Sequence, residues 1–245
     1  MASQPAVDTI FSDQIEHVTD FAFDKAVAEV FDDMVSRSVP SYGEIQRMLV
    51  ELAAAFATEG SNIYDLGCST GTTLALLRKT LHVKARFCGV DYSAEMLEQC
   101  REKMAMHNLL ESVELQQADL DEAVHIENAS VVLLVLTLMF VRPLSRERLI
   151  RQIYAGMNEN ACLLLVEKVL CNGSLFNRLF IERYYAFKRR MGYSELEIAQ
   201  KREALENVLV PYRLEENREM LLNAGFRDVE VFFRWYNFAG LVAVK

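Results

Sequence analysis

The densest chemistry lies in Asp65-Leu66-Gly67-Cys68-Ser69-Thr70-Gly71, which closes a short apolar run and leads directly into a helical pattern. Gly67 and Gly71 let the backbone turn sharply and approach a ligand, as the first strand-to-helix turn of a doubly wound sheet does. A dinucleotide fingerprint would read Gly-x-Gly-x-x-Gly, but here Ser69 replaces a middle glycine and an acidic residue stands two positions before the first. The alternative for this loop is a plain tight turn whose glycines serve packing. Asp91 ends the next apolar run, Phe87-Cys88-Gly89-Val90-Asp91, twenty residues after Gly71. A carboxylate there can accept two hydrogen bonds from ribose hydroxyls. Its other possible role, capping a helix at Ala94, suits Ser93 better. Asp119 follows the third run, so three acceptors fall at three consecutive strand ends, where open α/β sheets bind ligands.

The elements that must position these residues can be read from periodicity. Strands are predicted over Ile63–Leu66, Arg86–Val90, Val113–Gln116, Val131–Leu138 and Ala161–Val166, with helices over Leu74–Lys79, Ala94–Met106 and Arg146–Met157 between them. This alternation implies a mainly parallel sheet covered on both faces. Ahead of it, one helix runs from Phe23 to about Arg37 and ends at Pro40. A second opens on Ser41-Tyr42-Gly43-Glu44, read as a capping box that places Tyr42 in the first turn. Two helical segments over Ser174–Asn207 interrupt the alternation, the second opening on the capping box Ser194-Glu195-Leu196-Glu197. A helix over Leu214–Asn223 stops at Gly225, and Asp228–Trp235 and Gly240–Val244 read as an antiparallel pair.

Composition narrows the functional classes. The chain has 245 residues, 51% hydrophobic and 25% charged, and no run of about 18–20 apolar residues that could span a membrane. The N-terminus carries Asp8, Asp13 and Glu16 and has no signal-peptide pattern, so a cytoplasmic location is expected. Five cysteines lack Cys-x-x-Cys spacing and four histidines lack an i, i+4 pair, so no metal site is expected. Cys68 has no histidine near it in sequence to activate it as a nucleophile. A net charge of −9 argues against direct nucleic-acid binding. The segment Arg178–Arg202 reverses that balance, with seven basic residues against three acidic ones. Such a stretch is either a solvated face or a docking place for an anion.

The loop resembles the first motif of class I S-adenosylmethionine (SAM)-dependent methyltransferases, acidic-x-Gly-x-Gly-x-Gly. SAM has no pyrophosphate, and its aminoacyl end carries an ammonium and a carboxylate. An acidic residue such as Asp65 complements the first, and backbone amides at the turn complement the second. A more specific resemblance covers most of the chain. It is carried by Phe23-Asp24, Val27-Ala28-Glu29-Val30-Phe31, Arg37-Ser38-Val39-Pro40, Tyr42, Tyr64-Asp65-Leu66-Gly67-Cys68-Ser69, and the block Gly192-Tyr193-Ser194-Glu195-Leu196-Glu197-Ile198 that runs on to Gln200-Lys201-Arg202 and Leu205-Glu206-Asn207-Val208. On these residues the chain is similar to the carboxy-S-adenosyl-L-methionine (carboxy-SAM) synthases. The resemblance implies one Rossmann-like α/β domain with a mainly parallel sheet and an antiparallel last strand. Its parts would be an N-terminal helical extension over 1–60, a SAM-binding core over 61–168, a helical insertion over 169–212, and a C-terminal helix and hairpin over 213–245.

The same resemblance implies that SAM or carboxy-SAM is surrounded by Tyr42, Asp65, Gly67, Cys68, Ser69, Gly71, Asp91, Tyr92, Asp119, Leu120 and Val135. Arg202 would hold the added carboxylate from the other subunit of a homodimer, and Tyr42 and Arg202 are the residues assigned to catalysis. A guanidinium suits that task because its fork gives a carboxylate two parallel hydrogen bonds. Without the resemblance, Arg202 reads as a helix-surface charge paired with Glu206. The implied reaction uses prephenate: its decarboxylation and aromatisation supply carbon dioxide and a base, the SAM methyl carbon captures the carbon dioxide, and phenylpyruvate leaves. The product would supply a partner enzyme that modifies wobble uridine in tRNA. Three positions depart from the family pattern. Tyr92 and Val135 stand where the family has Asn, and Asn158-Glu159-Asn160-Ala161 replaces Asn-Pro-Gly-Gly. Thr137, two residues along the expected strand from Val135, would be its nearest polar substitute. The alternative reading is a SAM-dependent methyltransferase with an unknown acceptor.

Overall fold

Unbroken runs of Val, Leu and Ile make the middle of the sheet, because a strand covered on both faces has no polar side to present. The computed structural model describes residues 6–245, so the first five residues of the extension expected over 1–60 lie outside the described residues. Five strands run parallel: β1 (Asn62–Leu66), β2 (Arg86–Asp91), β3 (Val113–Gln117), β4 (Ala129–Val135) and β5 (Met157–Lys168). A final hairpin, β6 (Asp228–Trp235) and β7 (Phe238–Val244), gives the sheet order β3-β2-β1-β4-β5-β7-β6, with β7 antiparallel to both its neighbours.

Alternate residues of the central strands feed two cores. Val131 and Leu133 pack with Ile45 and Leu49 of α2 (Tyr42–Phe56), Leu74 and Leu77 of α3 (Thr72–Thr80), and Leu97 and Met104 of α4 (Ala94–Met106). Val132 and Leu134 face Leu149 and Ile153 of α5 (Pro143–Gly156) and Met220 and Leu221 of α8 (Leu214–Ala224). The first helix, α1 (Lys25–Ser38), buries Val27 and Met34 against Met96. The insertion is α6 (Ser174–Arg190) followed by α7 (Glu195–Leu205). At α7 the Ser194 capping box forms, and α8 stops at Gly225 in the left-handed region with φ 114°.

Two local expectations fail. Ser41 does not cap α2: its backbone is left-handed, with φ 57°, and its side chain makes no cap hydrogen bond. Glu44, the other half of the supposed box, instead accepts from Arg47 Nε at 3.0 Å. The fourth strand stops at Val135 rather than Leu138, because Leu136 turns left-handed with φ 60° and Leu138–Phe140 form a single 3-10 turn. The buried Glu167 carboxylate holds that turn by accepting from Leu138 N at 3.1 Å. Thr137 therefore lies past the strand, and its hydroxyl donates to Val135 O at 3.2 Å.

Arg146 ties this turn to the segment after α7. Fully buried, it donates to Val141 O at 2.9 Å, Met139 O at 3.2 Å and Val210 O at 2.7 Å, and its guanidinium lies 4.3 Å from the Tyr212 ring centroid. Arg146→Met keeps most of the volume and leaves the Val141 and Val210 carbonyls without this donor, while Met139 O still accepts from Val210 N at 2.9 Å. It should destabilise the protein by about 2 kcal/mol or more in urea titration, since each buried unsatisfied group costs about 1–3 kcal/mol.

Candidate functional site

Above the carboxyl ends of β1, β2 and β4 lies a cavity of about 390 Å³, within the range of small-molecule sites. Its floor is the loop after β1. Gly67 (φ 76°) and Gly71 (φ 79°) are both left-handed, and a Cβ would drive Gly67 into Thr137 and Gly71 into Cys100. Ser69 shares the left-handed conformation with φ 48°. Its N–H donates to Asp91 Oδ2 at 2.9 Å, while Ser93 N donates to Asp91 Oδ1 at 3.0 Å. Asp91 thus fixes the loop, and a carboxylate with about four acceptor positions has capacity beyond these backbone bonds for a ligand hydroxyl. Ser93 caps α4 by accepting from Met96 N at 3.1 Å, as expected.

Asp65 is buried, lines the cavity, and has one oxygen, Oδ2, with no hydrogen-bond partner. Burial, with the nearby Asp91 charge, pushes its carboxyl up to about 7. A carboxylate on a cavity-lining residue, with one oxygen lacking a hydrogen-bond partner, has the chemistry to meet an ammonium group. Tyr42, at the first turn of α2, lines the cavity, and burial together with Asp32 and Asp65 raises its phenol so that it stays protonated. Cys68, Ser69, Tyr92, Asp119, Leu120 and Val135 also line the cavity, and Asp119 Oδ1 accepts from Asp121 N at 2.8 Å. The Cys68 thiol sits beside Cys100, and its hydrogen bond to that residue and its burial hold it well above the ordinary range, which suits packing rather than nucleophilic attack.

Arg202 stands apart from these residues. It is exposed on α7, does not line the cavity of its own protomer, and forms no ion pair with Glu206 or with any other described residue. Its neighbour Lys201 is the buried one, and it lines the cavity together with Lys168 from the end of β5 and Lys188 from α6. Sequence reasoning noticed the basic stretch and passed over these lysines. The available signal was spacing: Lys201 lies three residues after Ile198 and three before Ala204, both buried, so it belongs to the inward stripe of α7. A wall of aromatics was missed as well. Phe23 stacks edge-on with Tyr92 (6.1 Å between centroids), Phe140 (5.2 Å) and Phe21 (5.2 Å), and all four line the cavity.

Asp65 gives a pH signature. Its carboxyl lies near 3.8 when free and near 7 when folded, so its contribution to stability is complete below 3.8 and is lost as pH rises through about 7. Asp65→Asn removes this titration. In ligand-free protein the variant's melting temperature should gain on wild type between pH 5 and pH 8, and a difference independent of pH would refute the assignment.

The site can be set beside known proteins. A methyltransferase domain family matches residues 63–160. In solved structures the chain is similar to human N-acetylserotonin methyltransferase in complex with SAM, with a TM-score of 0.59 and 15% identity over 90% of this chain. The chain spans about half the length of that protein, 55%, and the likeness is one of fold. Two curated relatives match almost end to end. The carboxy-S-adenosyl-L-methionine synthase of Methylococcus capsulatus is 59% identical over 97% of this chain and 99% of its own length. That of Actinobacillus pleuropneumoniae serotype 5b is 43% identical over the same shares. With full-length identity at this level, and a methyltransferase fold carrying the family's helical insertion, the chain belongs to the carboxy-S-adenosyl-L-methionine synthase family.

Proposed function

We propose that the chain converts SAM to carboxy-SAM with prephenate as the carboxyl donor, and that the product serves wobble-uridine modification of tRNA in the cytoplasm. The observation that carries this reading is the full-length match to synthases, joined to a cavity whose orphaned Asp65 oxygen suits the SAM ammonium. SAM would sit with its ribose on Asp91, its aminoacyl end between Asp65 and the Gly67–Gly71 loop, and its adenine toward Asp119 and Leu120. The atoms balance without an external oxidant: prephenate yields phenylpyruvate, carbon dioxide and hydroxide. The hydroxide takes one methyl proton to give water, and the methyl carbon bonds to carbon dioxide. Burial and fixed geometry are what this chain's residues supply, by keeping carbon dioxide next to the reacting carbon.

Arg202 is exposed and lies outside the cavity lining, so on this reading it would reach the site from a second copy of the chain. The apolar residues of the two helical regions, Val27, Phe31 and Met34 in the first and Leu175, Phe176, Leu179 and Phe180 in the second, differ in how far they are covered. Val27 and Met34 are buried within the protomer, whereas Leu175 and Phe176 on α6 are 65% and 57% exposed and suit a two-fold interface. Methyl transfer is the second reading, favoured by Tyr92 and Val135, which line the cavity at positions where the family pattern has Asn, Val135 bringing no polar group there.

Purified protein given SAM and prephenate should form carboxy-SAM and release phenylpyruvate in equal amounts, each depending on both substrates. Product-free incubation would turn the reading toward methyl transfer. Asp91→Ala should weaken SAM by about 1–3 kcal/mol in calorimetry, through lost hydroxyl contacts and a loosened Ser69 amide. Arg202→Ala should weaken carboxy-SAM about 30-fold more than SAM, and Lys should rescue only in part. Equal weakening of both ligands would assign Arg202 to the fold or the dimer.

A further inference from the structure

The cavity has two electrical ends. Asp65, Asp91 and Asp119 lie at the ends of the β1–β3 side, and Lys168, Lys188 and Lys201 lie at the β5, α6 and α7 side. Lys188 feels the charges of both Lys201 and Lys168; Lys188 Nζ is 4.8 Å and Lys201 Nζ 5.7 Å from the centroid of one ring, Tyr193, while Lys168 Nζ is 4.9 Å from that of the cavity residue Tyr184. Lys188 and Lys201 are 4% and 6% exposed.

Structural lysines taken this far out of water are expected to be paired, because a buried charge without a partner is costly. Here the pairing is incomplete. Lys201 Nζ forms an ion pair with Asp8 Oδ2 at 3.6 Å, but that oxygen already accepts from the Tyr193 hydroxyl at 2.6 Å, so one carboxylate is the only ion-pair partner of the three lysines among the described residues. Lys201 Nζ has no hydrogen-bond partner, and among the described residues neither Lys168 nor Lys188 forms an ion pair. The strap before α1 fixes this arrangement. Gln200, beside Lys201, donates to Phe11 O at 3.0 Å and Asp13 O at 2.9 Å and accepts from Ile15 N at 2.7 Å.

We propose that Lys168, Lys188 and Lys201 form the subsite that holds a carboxylate-bearing second substrate, facing the nucleoside end across one cavity. That the anion is prephenate rests on the synthase reading; that an anion binds here rests on the lysines. Three ammoniums against one shared carboxylate match a small dianion better than a monoanion. A flexible point charge on each stem also accommodates a ligand whose shape changes as one carboxylate leaves.

The free site is primed to take up protons. Burial, with the charges of Lys201 and Lys168, draws Lys188 down to about 7, and burial draws Lys168 and Lys201 to about 8. Asp8 and Glu197 oppose the shift on Lys188 and Lys201, and Arg37 adds to it on Lys201, while Asp33 is held by Arg37. A bound dianion restores the protonated forms. Binding at pH 7.5 should therefore consume protons, and affinity should fall from pH 7 to pH 9.

The test is calorimetry on the full-length protein, with prephenate titrated into enzyme saturated with S-adenosylhomocysteine in buffers of different ionisation enthalpy. Wild type should bind prephenate with net proton uptake. Lys188→Met should weaken prephenate roughly tenfold or more, leave S-adenosylhomocysteine unchanged, and melt no lower than wild type without ligand, while Lys188→Arg should retain most of the affinity. Undiminished prephenate binding by Lys188→Met, an equal loss for both ligands, or binding by wild type without proton uptake would overturn the subsite. So would wild type that binds neither prephenate nor phenylpyruvate. Prephenate binding without carboxy-SAM formation would support the subsite and sink the synthase reading.

Discussion

Charges removed from water must find counter-charges, and in this protein several of those counter-charges are absent from the chain itself. Asp65 is buried with one oxygen lacking a hydrogen-bond partner, and Lys201 is buried with a single 3.6 Å ion pair to Asp8 and no hydrogen bond at its ammonium, and both residues line the same cavity. Both are expensive in the ligand-free protein, and a ligand that carries an ammonium at one end and meets a carboxylate at the other relieves both. On the proposed reading function and cost have the same origin, because the groups that weaken the free protein are the ones that would recognise the bound molecules.

The rest of the fold serves to hold those groups in place against their own repulsion. Parallel strands bring Asp65 and Asp91 to the same end of the sheet: β1 and β2 pair from Asn62 with Arg86 to Leu66 with Val90, so Asp91 lies two residues beyond Gly89, the partner of Asp65. Glycine at positions 67 and 71 is required by the left-handed turn and by the nearness of Thr137 and Cys100. The cationic wall comes from elements a minimal sheet does not have. α6 and α7 carry Lys188 and Lys201, and Gln200 and Arg146 fasten the segments on either side through backbone carbonyls. On the proposed reading, this insertion in a methyltransferase fold supplies the half of the site that faces the second substrate.

Much of this was legible in the sequence, for physical reasons that differ from element to element. The strands over residues 63–66 and 86–90, the helix Ala94–Met106 and the final hairpin follow from local periodicity and strong punctuation at Ser93 and Gly225. The end of β4 did not, because apolar residues continue through Leu138 and only the distant Glu167 carboxylate bends the chain there. Ser41 met the pattern of a capping box and still turned left-handed, a conformation that composition does not announce. The lysines were hidden by a general expectation that Lys lies outside, and which of Lys201 and Arg202 points inward depends on one helical step of α7. The aromatic wall around Phe23 joins residues far apart in sequence, which no local pattern could unite.

Because both ends of the cavity are unsatisfied when empty, the protein should retain its cognate small molecule through purification. Native mass spectrometry of freshly purified protein, followed by denaturation and fragmentation of the released ligand, reads that molecule directly. A carboxylated SAM, with the added carboxyl on the former methyl carbon, is the expected result; SAM or S-adenosylhomocysteine with no carboxylated species would contradict the account.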